Sequence, residues 1–260
     1  MARARNFILF LHFYFWRSLR CRYTVKLKTR TAADAGNGAK TSVPRNMIKR
    51  TQLALADAAE WLGDWHPLAE QLGSADGLVA LSSVSALLRL TPVHDRASLR
   101  RFLRRYQTTI LLPLELPAIY AAQGHTARHE LRELIALDAE LADEPLLKGF
   151  AGASRRVGQC QLQKLRPLRD QRMVQRYLQA VNGGTAHGWH TLVYGLTLAV
   201  YSLPSRQGLL GYAQQTTRGF IYSAARNLKL SERSCRDLFD ELCEPLPAAV
   251  EDLLQQRAAA

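Results

Sequence analysis

Hydrophobic positions recur at helical spacing along most of the chain, most clearly between His187 and Arg226. In the first half of this stretch, large apolar side chains follow one another every three or four residues, and no charged residue precedes Arg206 within it. A helix that is apolar on nearly all sides belongs in the centre of a domain. The break at Leu203-Pro204 then predicts a second helix, so that the stretch forms a helical hairpin.

The second helix of this hairpin has an apolar side and a polar side. Its polar stripe consists of Gln214, Arg218, Tyr222 and Arg226, which follow one another at i,i+4 spacing and therefore lie one above another. Glycine costs about 1 kcal/mol relative to alanine in a helix interior, so the glycines kept in both helices predict close packing against neighbouring helices. The apolar side is formed by Leu209, Leu210, Ala213, Phe220, Ile221 and Ala224.

The remaining segments also have helical periodicity, and proline and glycine punctuate it. Asp95 or Ser98 can cap one helix, Pro113 and Pro117 are expected to break the chain into a turn and a short helix, and Asn182-Gly183-Gly184 ends another helix. Alanine, leucine, arginine and glutamine dominate the composition, which favours helix. The sequence therefore predicts an all-α fold, with a single multi-helix domain of roughly ten helices around the buried central hairpin.

The formal net charge of +13 lies mostly in the first 46 residues. Residues 1–46 hold ten Lys or Arg and one acidic residue, whereas residues 47–260 hold 25 Lys or Arg and 21 Asp or Glu. We expect a disordered basic extension over 1–46 and the helical domain over 47–260. The apolar run Phe7–Trp16 is too short to span a bilayer. The extension is therefore interpreted as a mis-assigned start, with translation from Met47, or as a targeting segment or membrane-surface anchor.

Two histidine pairs have a spacing that could bind a metal. His125 and His129 are one helical turn apart, but they lack the glutamate that directly follows the first histidine in zinc proteases. His187 and His190 could face one ligand, yet His190 shares a stripe with Tyr194, which favours a buried histidine bonded between helices. The sequence has no Cys-x-x-Cys spacing, no G-x-S-x-G motif and no complete phosphate-loop motif. No catalytic residue, metal site or cofactor is predicted, and a helical metal-binding enzyme using either pair is the alternative.

Several motifs of the hairpin occur together in a known family. They are H-x-x-V-Y-G, a Leu-Pro turn, L-L-x-Y and S-A-A-R, and with the upstream run Ser98–Gln163 the chain resembles the urease accessory protein F family over roughly residues 73–245. It departs from the family at Arg218-Gly219, where Ser-Asn is usual, and at Ser231–Arg236, where the family has G-Q-T-x-G-Q. The matched hairpin positions are His190, Val193, Tyr194, Gly195, Leu203, Leu209, Leu210, Tyr212 and Arg226.

The resemblance implies a non-catalytic scaffold or adaptor in nickel-dependent urease maturation, acting in the cytoplasm. It implies binding to a urease accessory protein of the D/H type and to the accessory GTPase of the G type, contact with the urease apoprotein through that complex, and a homodimer. No nucleic-acid partner and no membrane span are expected. The expected partner-binding residues are Arg226, Tyr212, Arg218, Tyr222 and His190. Of these, Tyr212 and His190 are expected to shape the core, and Arg226 to make a polar contact near an interface.

Overall fold

The computed structural model describes residues 84–258, apart from the side chains of Ser223 and Arg226. Regular structure in this range is helical throughout, which confirms the predicted all-α class. The basic extension and the first part of the predicted domain lie outside the described residues. The α-helices are α1 (Arg96–Tyr106), α2 (Leu116–Ala127), α3 (Leu131–Asp143), α4 (Ala151–Leu165), α5 (Arg172–Asn182), α6 (His190–Val200), α7 (Ser205–Leu228), α8 (Glu232–Cys243) and α9 (Leu246–Ala258).

Helix α6 lies at the centre of the described domain, as its apolar sequence predicts. It packs along α2 and against α4, and Leu192, Val193 and Leu196 are fully buried. Gly195 makes the contact with α2 possible, because a Cβ atom there would lie 2.4 Å from the carbonyl oxygen of Ile119. The two helix backbones therefore approach more closely than any larger residue would allow.

Helix α7 packs its apolar side against four other helices, α1, α2, α8 and α9. Phe220 meets the rings of Phe102 and Tyr106 edge-on, with centroids 6.3 Å and 5.1 Å apart. This is an arrangement that aromatic pairs prefer. On the surface, the guanidinium groups of Arg100 and Arg104 each lie 2.6 Å from the carboxylate of Glu241 and so connect α1 with α8.

The expected break at Pro113 and Pro117 is wrong, because the chain stays helical from Arg96 to Ala127. Residues Gln107–Glu115 form a π-helix that contains Pro113. Its wider turn replaces the i→i−4 hydrogen bonds that a proline would interrupt. Pro117 lies in the first turn of α2, directly after the π-helix.

Helix ends follow the capping signals of the sequence. Asp95 caps α1 by accepting a hydrogen bond from the backbone N–H of Ser98 at 2.7 Å, and the Ser98 hydroxyl accepts from the N–H of Asp95 at 3.0 Å, which completes a capping box. Helix α5 ends at Asn182 with Gly183 as its C-cap, and Gly184 follows with φ of 76°. No helix between residues 84 and 258 has the length and apolar content needed to cross a bilayer.

Candidate partner-binding site

The α6–α7 hairpin carries all five residues that the sequence singles out for partner binding. His190 is the first residue of α6, and Tyr212, Arg218, Tyr222 and Arg226 belong to α7. The structure separates them into two groups. His190 and Tyr212 meet in the core, whereas Arg218 and Tyr222 are partly exposed.

His190 bridges α4 and α7 through its two ring nitrogens. Nδ1 lies 2.6 Å from the Ser154 hydroxyl, and Nε2 lies 2.7 Å from the Tyr212 hydroxyl. The His190 and Tyr212 side chains belong to residues that are each 2 % exposed, and their rings stack with centroids 6.1 Å apart. This confirms the preferred interpretation of His190 as a buried histidine that is hydrogen-bonded between helices.

Glu115 extends this polar cluster towards α1. The residue is 1 % exposed and its Oε1 lies 4.0 Å from Nε2 of His190. The hydroxyls of both Tyr106 and Tyr212 donate hydrogen bonds to its carboxylate. Burial, together with the Glu115 charge, raises the pKa of each tyrosine well above 10, so both hydroxyls stay protonated as donors.

One arrangement of protons fits the hydrogen bonds that join His190 to Ser154 and Tyr212. The Ser154 hydroxyl donates to Nδ1, the Nε2–H donates to the Tyr212 oxygen, and the Tyr212 hydroxyl donates to Glu115. The resulting polar core, comprising Tyr106, Glu115, Ser154, His190 and Tyr212, connects α1, the π-helix, α4, α6 and α7. Its members face one another, so neither ring nitrogen of His190 is turned towards solvent.

The geometry does not favour either histidine pair as a metal site. Helix α2 ends at Ala127 and His129 has φ of 60°, so the helical i,i+4 relation between His125 and His129 is lost. His125 instead places Nδ1 2.8 Å from a carboxylate oxygen of Glu130. His187 precedes α6 in an irregular segment. Across residues 84–258 no cluster of three or more His, Cys, Asp or Glu has an arrangement that could hold a metal ion.

Asp138 is a buried anchor that the sequence interpretation missed. An acidic pattern along α3 favours solvated carboxylates, but Asp138 is fully buried beneath the start of α6. It accepts hydrogen bonds from the Tyr177 hydroxyl at 2.5 Å and from the backbone N–H groups of His187 and Gly188 at 2.6 Å and 2.9 Å. The available signal was its i+4 spacing from the buried Leu134, which places it on the apolar side of α3.

The polar stripe of α7 is a partly exposed surface. The guanidinium carbon of Arg218 lies 5.5 Å from the centroid of the Tyr222 ring, which is within the range of a cation–π contact. Gln214 is also partly exposed one turn earlier. Arg226 follows on the same helix, but its side chain lies outside the described part of the structure.

The part of the chain that matches known proteins contains both groups of residues. A family model described as UreF matches residues 93–242. The chain is 23 % identical over 162 residues to the urease accessory protein UreF of Actinobacillus pleuropneumoniae, and the alignment covers 62 % of this chain and 71 % of that protein. The UreF proteins of its serotype 3 strain JL03 and serotype 5b strain L20 are each 22 % identical over 162 residues.

Proposed function

The chain belongs to the UreF family of urease accessory proteins, and we propose that it acts as a non-catalytic scaffold in nickel-dependent urease maturation. In this role it binds a urease accessory protein of the D/H type and the GTPase of the G type. It contacts the urease apoprotein through that complex, and nickel is the cargo. The observation that carries the proposal is the UreF family match over residues 93–242, and the partly exposed Arg218–Tyr222 pair on α7 is the surface that we assign to partner contact.

The burial of the polar core supports a scaffold more than an enzyme. Glu115 and His190 could transfer protons, but the two residues are 1 % and 2 % exposed, and their polar atoms are directed at Tyr212, Tyr106 and Ser154. A substrate would have to displace packed helices to reach them. We therefore assign His190 and Tyr212 an indirect part in partner binding, which is to hold α7 in position.

We assign direct partner contact to three residues of the polar stripe of α7 (the α7 stripe): Arg218, Tyr222 and Arg226. Arginine and tyrosine are the residue types that most often dominate binding energy, because they combine a large contact area with directional hydrogen bonds. Arg218 and Tyr222 already contact each other. Less side-chain freedom is therefore lost when a partner covers them.

We also propose that the protein acts in the cytoplasm, which is a reducing compartment. Cys235 and Cys243 are buried free thiols. Burial, with a smaller contribution from the nearby Asp240, raises the pKa of Cys243 to about 12, which keeps the thiol protonated and unreactive.

We also propose a homodimer, as the family resemblance implies, which light scattering on the purified chain would measure directly.

Co-expression with the host's D/H-type protein and G-type GTPase tests the proposal. The full chain should co-purify with both, and Arg218→Ala and Arg226→Ala should each weaken the complex about tenfold, which corresponds to about 1.4 kcal/mol. Arg132→Ala provides a matched control, because Arg132 is exposed on α3, away from the α7 stripe. A folded wild-type chain that binds neither protein would overturn the proposed function, and equal effects of all three substitutions would overturn the assignment of the stripe.

A further inference from the structure

Positive charge in the domain is concentrated in one helical hairpin. Residues 145–182, which include α4 and α5, hold eight Lys or Arg and one Asp, a net charge of +7. The rest of residues 47–260 holds 17 Lys or Arg and 20 Asp or Glu, a net charge of −3. The net charge of residues 47–260 is therefore small because a strongly positive hairpin and a slightly negative remainder partly cancel.

The turn between α4 and α5 is held in a defined shape. The side-chain amide of Gln175 donates hydrogen bonds to the backbone carbonyls of Arg166 and Leu168, at 3.1 Å and 3.0 Å. Around this anchor lies a concave surface with a volume of about 550 Å³, lined by Arg166, Pro167, Arg169 and Gln175. The backbone that presents the two arginines is thus fixed, although their side chains extend into solvent.

Four arginines lie in this turn or in the first two turns of α5, and all are exposed: Arg166, Arg169, Arg172 and Arg176. Within residues 84–258 none of them has a carboxylate in ion-pair distance, whereas Arg100 and Arg104 on α1 share Glu241. The nearest acidic residue in sequence, Asp170, accepts a hydrogen bond from the Gln171 amide at 3.4 Å instead. A concave surface with several unopposed cations concentrates a positive potential that attracts anionic groups.

We propose that this arginine turn, comprising Arg166, Arg169, Arg172 and Arg176, is a docking surface for a carboxylate-rich segment of a protein partner. Four arginines match the planar oxygens of carboxylates, because each guanidinium can donate two parallel hydrogen bonds. Helix α3 packs against α5 and exposes Glu133, Glu140 and Asp143. These carboxylates limit the extent of the positive surface, which suits a short acidic segment better than the continuous phosphate backbone of a nucleic acid.

The surface is distinct from the α7 stripe, so its test is independent of urease maturation. The full chain is treated with phenylglyoxal, which modifies accessible arginines, with and without a synthetic decaglutamate peptide, and modification is followed residue by residue by mass spectrometry. The peptide should slow the modification of the arginine turn at least fivefold. Arg101 and Arg105, which are exposed on α1, serve as controls in the same sample and should change less than twofold.

Three results would overturn the proposal. Equal protection of Arg101 and Arg105 would mean that the peptide binds positive charge without selection, and no protection of the turn would mean that the surface binds no acidic segment. Stronger protection by a DNA duplex of equal charge would assign the turn to nucleic acid.

The peptide's affinity should also fall at least threefold more for the Arg166→Glu/Arg169→Glu variant than for Arg101→Glu/Arg105→Glu. Circular dichroism verifies the folding of both variants.

Discussion

Asp138 illustrates how a single buried carboxylate determines the position of a functional segment. It binds the backbone N–H groups of residues 187 and 188 and the hydroxyl of Tyr177, so one side chain of α3 holds both α5 and the entry to α6. His190 begins α6 two residues later. The location of His190 beside Ser154 and Tyr212 therefore depends on an acidic residue that is distant in sequence.

We expect Asp138→Ala to lower the free energy of unfolding by about 2–4 kcal/mol, because two buried N–H groups and a hydroxyl lose their acceptor. Asp138→Asn should also be destabilising, since an amide offers one acceptor oxygen where the structure uses two. Urea denaturation measures both. Glu140→Ala, on the exposed side of the same helix, should change stability by less than about 0.5 kcal/mol. A loss for Asp138→Ala no greater than for this control would contradict the anchor role.

Glu130 predicts a pH dependence at the junction of α2 and α3. Hydrogen bonds from Arg128 and then His125 lower its pKa from 4.5 to about 2. Because the folded-state pKa is depressed, the stabilisation is complete above about pH 4.5 and is lost as the pH falls towards 2. The Glu130→Gln variant should lack this component of the acid transition, whereas Glu133→Gln should keep it. A carboxyl titration of Glu130 by NMR with a midpoint near 4.5 would refute the prediction.

At the scale of the helices, the glycines of the α6–α7 hairpin differ in whether a neighbouring helix packs closely against them. An added Cβ at Gly195 would lie 2.4 Å from the Ile119 carbonyl oxygen and 2.8 Å from the Ala122 Cβ. At Gly211 an added Cβ would have no heavy atom within 4 Å among the described residues. The sequence predicts close packing at every interior glycine of the hairpin, and this is correct for Gly195 but wrong for Gly211.

These two glycines give a matched pair of substitutions. Gly195→Ala should destabilise the protein by about 2–4 kcal/mol, because α2 and α6 must separate along the core. Gly211→Ala should stabilise it by about 0.5–1 kcal/mol, because alanine restricts the unfolded chain and favours helix. Thermal unfolding of both variants provides the measurement. Similar shifts of the same sign for the two variants would show that the contact at Gly195 does not control packing.

The features that the sequence predicts are those encoded by local spacing. The apolar periodicity of α6, the Leu203-Pro204 break, the cap at Asp95 and the helix end at Asn182-Gly183-Gly184 all follow from neighbours in sequence, and all are present. The π-helix through Pro113 could not be predicted, because a proline normally indicates the end of a helix. Whether a helix accommodates an internal proline depends on how the backbone hydrogen bonds of the neighbouring turns rearrange. Asp138 was missed for a related reason, since its partners come from residues 177–188, which local acidic patterning does not reveal.

At the scale of the whole molecule, the polar core joins elements that are far apart in sequence. Tyr106, Glu115, Ser154, His190 and Tyr212 come from α1, the π-helix, α4, α6 and α7. In an interior of low dielectric constant, each hydrogen bond strengthens its neighbours, and each unpaired group is costly. The cluster therefore fixes one relative arrangement of these helices, which in turn fixes where α7 presents its stripe.

Tyr212→Phe tests whether the polar core acts on the molecule as a whole. The change removes the hydroxyl between His190 and Glu115 while keeping the ring, so we expect a loss of about 1–3 kcal/mol in the free energy of unfolding. Because the cluster spans several helices, amide hydrogen exchange should accelerate together in α4, α6 and α7. Tyr120→Phe, on the partly exposed side of α2, should leave these rates unchanged. Acceleration confined to the turns of α7 that flank Tyr212 would mean that the hydroxyl stabilises only its own helix.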